Sequence, residues 1–266
     1  MIGAIIGDIA GSRFEFHNYR KKDFTLFTKE CFPTDDSIMS LAVAKAVLEY
    51  KTNDANLSKA AVQWMQKIGQ PYPACGFGGN FFDWIYSDHP KPYNSFGNGA
   101  AMRVSACGFA ANTLEEALQM SDSVTAVTHN HPEGIKGARA TTAAIFLAKT
   151  GVSIPEICAH ITKQYYPLDF TIDAIRPTYQ FNETCQDTVP QAIEAFLESN
   201  SFEDAIRTAV SVGGDSDTLA AITGSIAEAY YGVPQALYDA AVAYLDPLMR
   251  ELLHTFEAVY GTNMKA

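Results

Sequence analysis

The sequence predicts an all-α fold, and three observations carry that expectation. Apolar residues recur at the helical period along most of the chain, cap-type residues open the periodic segments, and period-2 alternation is nearly absent. Residues 34–50 (TDDSIMSLAVAKAVLEY) begin with Thr and Asp, whose side chains accept free N–H groups of a first turn, and continue with helix-period apolar positions. Thr113 with Glu116, and Ser153 with Glu156, have the spacing of a capping box. Segments 187–199, 202–212, 217–231 and 235–246 are rich in Ala, Leu, Ile and Glu and read as further helices. Thr25-Leu26-Phe27 is the best strand candidate, and stretches 69–99 and 165–185 read as irregular. No Ser/Gly-rich linker and no repeat divide the chain, so residues 1–266 are expected to form one domain.

Composition narrows the function classes. With 47% hydrophobic residues over 266 positions, the chain can bury a full core. Its 30 acidic and 19 basic residues give a net charge of −11, which disfavours nucleic acid and anionic membrane surfaces as partners. The carboxylate excess is either a solvated surface or an acidic site that needs cations. The apolar start lacks a basic region and is interrupted by Asp8, unlike a signal peptide, and no apolar run is long enough to span a bilayer. Cys31, Cys75, Cys107, Cys158 and Cys185 are scattered without CxxC spacing, so reduced thiols in an intracellular, cytoplasmic protein are expected.

Gly3, Gly7 and Gly11 lie four residues apart, on one face of a helix. Each glycine inside a helix costs about 1 kcal/mol against Ala, so close approach of another helix or a ligand is expected to offset it. On a neighbouring face Asp8, Ser12 and Glu15 are spaced i, i+4, i+7 and can converge on one site; a surface position at the helix end is the plainer reading of Glu15.

Two acidic clusters lie about 180 residues apart: Thr34-Asp35-Asp36-Ser37, and Gly213-Gly214-Asp215-Ser216-Asp217-Thr218. A helix cap needs one such residue, whereas each junction supplies two carboxylates and a hydroxyl. Neighbouring ionised carboxylates repel unless a cation lies between them. Hard oxygen donors suit Mg²⁺ or Mn²⁺ rather than Zn²⁺. If the junctions meet, the set suffices for two metals roughly 3.5–4 Å apart. Between them, Ser95-Phe96-Gly97-Asn98-Gly99 precedes a helical run, where backbone N–H groups can cradle an anion; an ordinary turn is the alternative. Gly76–Gly79 is a fainter version of the same pattern. Thr128-His129-Asn130-His131-Pro132 is a polar hinge without helical zinc-ligand spacing, read as structural or as a substrate contact.

In this order, GAIIGDIAGSRFE (3–15), PTDDS (33–37), SFGNGAAMRV (95–104), THNHPEGIKGA (128–138), DTVPQAIEAF (187–196) and AVSVGGDSDTLAAITGSIAEAYYG (209–232) resemble the ADP-ribosylglycohydrolase family, which includes the dinitrogenase reductase-activating glycohydrolases. The resemblance implies an all-α domain with two Mg²⁺, or Mn²⁺, in a cleft. Thr34, Asp35, Asp36, Asp215, Asp217 and Thr218 match the family's metal ligands. Ser216 stands where many members have Thr, at a position that is not a ligand. Glu15 matches a glutamate that one branch, similar to poly(ADP-ribose)- and ADP-ribosylserine-cleaving enzymes, places by the scissile ribose. Ser95, Phe96, Gly97, Asn98 and Gly99 match the loop for the diphosphate and adenosine, with Phe96 where a stacking Tyr is common, and His129 matches a histidine near the substrate. The arginine-directed branch uses an acidic residue near this loop; Tyr93-Asn94-Ser95 here leans toward the other branch.

The implied reaction is hydrolysis at C1″ of the distal ribose of an ADP-ribosylated protein or small conjugate, through an oxocarbenium-like transition state. Glu15, Asp36 or Asp217 would act as general base. Two other readings are a catalytically silent binding or crystallin-like relative, which all six matching ligands argue against, and another Mg²⁺-dependent hydrolase of nucleotides or phosphoesters. The acceptor stays open among serine, arginine, a nucleobase, O-acetyl-ADP-ribose and the polymer, and is expected to depend on 85–94 and 165–185.

Overall fold

A computed structural model describes residues 1–53, 55–261 and 264–265; the remaining positions of the expected 1–266 domain lie outside the described residues. The fold is mostly helical: α1 (Ile2–Ser12), α2 (Asp35–Asn53), α3 (Leu57–Gly69), α4 (Gly79–Ile85), α5 (Gly99–Met102), α6 (Ser105–Ala110), α7 (Leu114–Thr125), α8 (Pro132–Lys149), α9 (Ile154–Gln164), α10 (Ile172–Ile175), α11 (Cys185–Leu197), α12 (Phe202–Val210), α13 (Ser216–Tyr231), α14 (Gln235–Val242) and α15 (Pro247–Tyr260). The strands described are β1 (Val233–Pro234) and β2 (Met264–Lys265), a two-residue parallel pair.

The centre is α1, all of whose 11 residues are buried, against α13, buried from Ser216 through Ala229. The glycine stripe is answered by this second helix rather than by a ligand. A Cβ at Gly7 would lie 2.0 Å from the Ala220 carbonyl oxygen, and one at Gly3 2.2 Å from that of Gly224. Gly11 faces Ser216 and Asp217, so the helices run antiparallel and the end of α1 abuts the start of α13. Gly224 meets Gly3 reciprocally, its own Cβ falling 2.1 Å from the Gly3 carbonyl oxygen. The Glu228 carboxylate accepts the Gly3 N–H at 2.7 Å, satisfying a free donor of α1's first turn. Helices α8, α11 and α12 pack on the other sides of α13, and α2 packs on α1 and α3.

The helices expected from the sequence appear within a few residues of their predicted bounds, with corrections elsewhere. Thr25-Leu26-Phe27 is no strand: the Thr25 carbonyl accepts from Arg13 at 2.7 Å and the segment lies over the core through Leu26. Stretch 69–99 contains α4, which buries Phe81, Trp84 and Ile85, and stretch 165–185 contains α10, capped by Thr171. Segment 235–246 stops at Val242; α15 then starts afresh, with Asp246 as N-cap and Pro247 in its first turn. Ser153 and Glu156 form the capping box, but Glu116 reaches past Thr113 to the Asn112 N–H at 2.7 Å. The five cysteines are free thiols, and no helix among the described residues is long and apolar enough to cross a membrane.

The close approach of α1 and α13 makes Gly7→Ala a severe change. It should lower stability by at least about 3 kcal/mol, the upper end of overpacking effects. Urea denaturation checks this; an unchanged midpoint would refute the backbone contact.

Candidate functional site

An aspartate inside an apolar helix must find hydrogen bonds or stay protonated. Asp8, fully buried on α1, finds four at the entrance of α2. It accepts from the Thr34 N–H (2.9 Å), the Thr34 hydroxyl (2.8 Å), the Ser37 N–H (3.0 Å) and the Ser37 hydroxyl. Asp8 therefore does not open into the site as its spacing suggested; it fastens α2 to α1. Ser12 is likewise structural, its hydroxyl accepting the Phe32 N–H at 3.1 Å. Since α1 also fixes α13, the two acidic junctions come together, and the Thr218 hydroxyl donates to Asp36 Oδ2 at 3.1 Å across 182 residues.

Gly213 and Gly214 make the turn into α13 with φ of +81° and +70°, left-handed values that favour glycine. Asn18 accepts the Gly214 N–H at 2.6 Å, tying this turn to the segment after α1. Glu15 lies in that segment, beyond the end of α1, so the loop rather than a helical face brings it to the cleft. One carboxylate oxygen each from Glu15, Asp215 and Asp217 lies within 4.8 Å of the others. Asp35 and Asp36 line the same cavity of about 260 Å³ from the opposite junction. Gly76, at φ +115°, lets the 75–79 loop pass over Asp35, where a Cβ would fall 2.8 Å from Oδ1. Thr34 turns its hydroxyl proton to Asp8, which leaves lone pairs as its ligand capacity.

This crowd of acids is costly to ionise. Burial, and then the charges of Asp8 and Asp215, push Asp35 up to about 8. Burial and then Asp215 push Glu15 up to about 7. Asp36 and Asp217 lie well above the usual carboxylate range, by burial first and neighbouring carboxylates second. Burial raises Asp215 despite its hydrogen bonds, and raises Asp8 to about 6. Asp36 Oδ1 and Asp217 Oδ1 are buried with no hydrogen-bond partner. Orphaned hard oxygens in a carboxylate cluster fit a divalent cation, and the Glu15, Asp215 and Asp217 triad can chelate one.

The Ser95–Gly99 loop forms one wall. Its N–H groups are less available to an anion than its glycines suggested: Gly97 donates to Ser95 Oγ (3.1 Å) and Asn98 to the Glu183 carbonyl (2.7 Å). The Asn98 side chain, buried, donates to Asp215 Oδ2 at 2.6 Å, and so supports the acidic cluster. Phe96 is 42% exposed and packs near the His131 ring, outside the main cavity but in an adjoining groove with Phe181. His129 is buried and lines the cavity, whereas His131 caps α8 by accepting the Glu133 N–H. Tyr93 and Glu183 line the cavity from the 85–94 and 165–185 stretches expected to shape the acceptor side, whereas Arg103 and Phe81 also line it without a reading from the sequence. Arg103 follows the GNG loop directly, and a lone cation in an apolar run was the available signal.

The sequence model of the ADP-ribosylglycohydrolase family matches residues 1–261. ADP-ribosylarginine hydrolase Tri1 of Pseudomonas putida (strain GB-1) is 26% identical, over 88% of this chain and 70% of that protein. ADP-ribosylhydrolase ARH3 of Mus musculus is 24% identical, over 88% and 83%. The ADP-ribosyl-[dinitrogen reductase] glycohydrolase of Rhodospirillum rubrum is 25% identical, over 87% and 84%. A solved structure titled ADP-ribosylglycohydrolase-related protein complex shares the fold, with a TM-score of 0.70 and 20% identity over 99% of this chain and 96% of that one.

The acidic cluster sets a pH dependence for the cation-free protein. Asp8, Glu15 and Asp35 titrate at about 6, 7 and 8 when folded, against about 4 when unfolded. The folded state therefore holds extra protons, and its stability falls as pH rises from about 4 through the folded values, levelling off above about 8. In EDTA, thermal melting should drop across this window, less steeply in Asp36→Asn, and Mg²⁺ should raise it more at pH 8 than at pH 6. A flat wild-type profile would exclude the crowding.

Proposed function

Because the chain belongs to the ADP-ribosylglycohydrolase family, we propose that it hydrolyses the bond between C1″ of the distal ribose and the acceptor in ADP-ribosylated proteins or small ADP-ribosyl conjugates. The observation that carries this reading is the meeting of two distant acidic junctions, sealed by the Thr218 to Asp36 bond and flanked by the Glu15, Asp215 and Asp217 triad. Thr34, Asp35, Asp36, Asp215, Asp217 and Thr218 would hold two Mg²⁺, or Mn²⁺. Bound there, the cations supply Lewis-acid polarisation of the ribose hydroxyls and water, and offset the carboxylate charge.

The chain's own groups divide the remaining work. The junction carboxylates orient the ribose, and His129 with the Ser95–Gly99 loop, whose Gly97 and Asn98 N–H groups are spent within the fold, receives the diphosphate end. As the C1″ bond to the acceptor breaks, its electron pair leaves with the acceptor nitrogen or oxygen, and charge develops on the ribose ring. The surrounding carboxylates favour that positive charge. Water adds to C1″, and Glu15 accepts its proton on a carboxylate oxygen before the proton passes to the leaving group. Asp36 and Asp217 are the alternative bases. The acceptor is a protein side chain or small group; relatives' names differ on this point, Tri1 being named for ADP-ribosylarginine.

Release of ADP-ribose from defined peptides modified on arginine and on serine tests the reading. Activity should require Mg²⁺ or Mn²⁺ and vanish in EDTA; turnover undiminished by chelation would overturn it. Asp217→Asn should lose turnover and cation binding together. Glu15→Gln should lower kcat by about 10²–10⁴-fold with KM nearly kept, as for loss of a general base. An unchanged rate would remove Glu15 from the chemistry.

A further inference from the structure

We infer that Arg103 is a positioning residue that holds His129 as the neutral Nε2–H tautomer, so that the imidazole offers one fixed donor toward the Gly97–Gly99 side of the cavity. For the identity of the ligand that receives this donor, the inference rests on the function proposed above.

Arg103 closes α5 and is 1% exposed, yet its guanidinium has no carboxylate in ion-pair range among the described residues. It lies against the Phe81 ring, 5.2 Å from the centroid, and its Nε has no partner. Its Nη2 donates to Thr128 Oγ1 at 2.5 Å and lies 3.2 Å from His129 Nδ1. Thr128 Oγ1 is itself 2.7 Å from His129 Nδ1.

The donor inventory decides the tautomer. A guanidinium nitrogen only donates, so an N–H at Nδ1 would face another N–H and a positive charge. The Thr128 hydroxyl accepts from Arg103, and its own proton can go to Nδ1 at 2.7 Å or to the Thr125 carbonyl at a long 3.4 Å. Both neighbours therefore direct protons at Nδ1, which must accept, and the ring proton belongs on Nε2. Nε2 faces the loop: a Cβ at Gly99 would lie 3.3 Å from it, and one at Gly97 3.6 Å. Two glycines without side chains keep this donor accessible from the cavity. Burial, and then the Arg103 charge, hold His129 well below its ordinary pKa, while Arg103, lowered by burial to about 10, stays charged at neutral pH. The ring is thus a neutral donor whose direction is set from behind.

The test uses the intact ¹⁵N-histidine-labelled protein and long-range ¹H–¹⁵N spectra, with His129→Gln identifying the resonances. Wild type should show a protonated Nε2 and an unprotonated Nδ1 for His129; a dominant Nδ1–H, or a mixture, overturns the inference. Arg103→Met should shift the ring toward mixed tautomers, and Arg103→Lys should restore Nε2–H in part. A folded Arg103→Met with the wild-type tautomer removes Arg103 from the role. Because Arg103→Met removes a buried group, ADP-ribose titration of His129 variants gives an independent arm. Gln presents its amide near the Nε2 position and Asn near Nδ1, so His129→Asn should lose about tenfold in ADP-ribose affinity, the worth of one hydrogen bond, and His129→Gln less. The reverse order overturns the donor assignment. An Nε2–H tautomer that shifts in Arg103→Met, in a protein that does not bind ADP-ribose, supports the Arg103 assignment and refutes the proposed function.

Discussion

Two backbones in near-contact organise this molecule. Helices α1 and α13 approach so closely that a methyl group at Gly3, Gly7 or Gly11 would overlap main-chain atoms of the other helix. Glycine is unfavourable in a helix interior, but here its lack of a side chain permits an approach no other residue allows. That contact brings the end of α1 against the Gly213–Thr218 turn. From the same helix Asp8 holds the start of α2. Two acidic segments far apart in sequence thus inherit a fixed mutual position from one buried helix. Within the site, the Thr218 to Asp36 bond joins the two segments directly.

The electrostatics follow from that assembly. Carboxylates held together by packing cannot relax apart when they ionise, so each buried acid raises the others. A structure held together only by its surface would spread such charges; this one keeps them crowded. Asn98 extends the cluster to the far wall by hydrogen-bonding Asp215, and Asn18 extends it to the Glu15 segment through Gly214. Polar support therefore reaches the acidic cluster from two separate loops, which limits how Asp215 and its turn can move.

Much of this was legible in the sequence, for identifiable reasons. The glycine stripe signalled a close approach because nothing else repays three helical glycines, although only the folded chain shows that Gly224 is the counterpart of Gly3. Paired acids beside hydroxyls at helix starts signalled a site because one cap does not need two carboxylates. Asp8 was misread, since helical spacing shows which residues share a face but not what that face meets. Glu15 reached the cleft by a different route from the expected one, the helix having ended at Ser12. Short helices such as α4 and α10 escaped notice because one or two turns carry too little periodicity to register. Arg103 and Asn98 were illegible as positioning residues because their partners are set by tertiary contact alone.

The separation of α1 from α13 also bears on how the chain is made. Gly3 and its acceptor Glu228 are 225 residues apart. At roughly 5–20 residues per second, α1 leaves the ribosome on the order of 10–50 s before its partner exists. Throughout that interval α1 can dock on α2 through Asp8, but the glycine face that meets α13 stays uncovered. Docking of α13 brings the second acidic junction to the first, and the segment from α14 through α15, which follows it in the chain, then adds Leu245, Leu253 and Phe256 to the core. For this topology the acidic site is acquired late in synthesis, because one of its two halves opens α13.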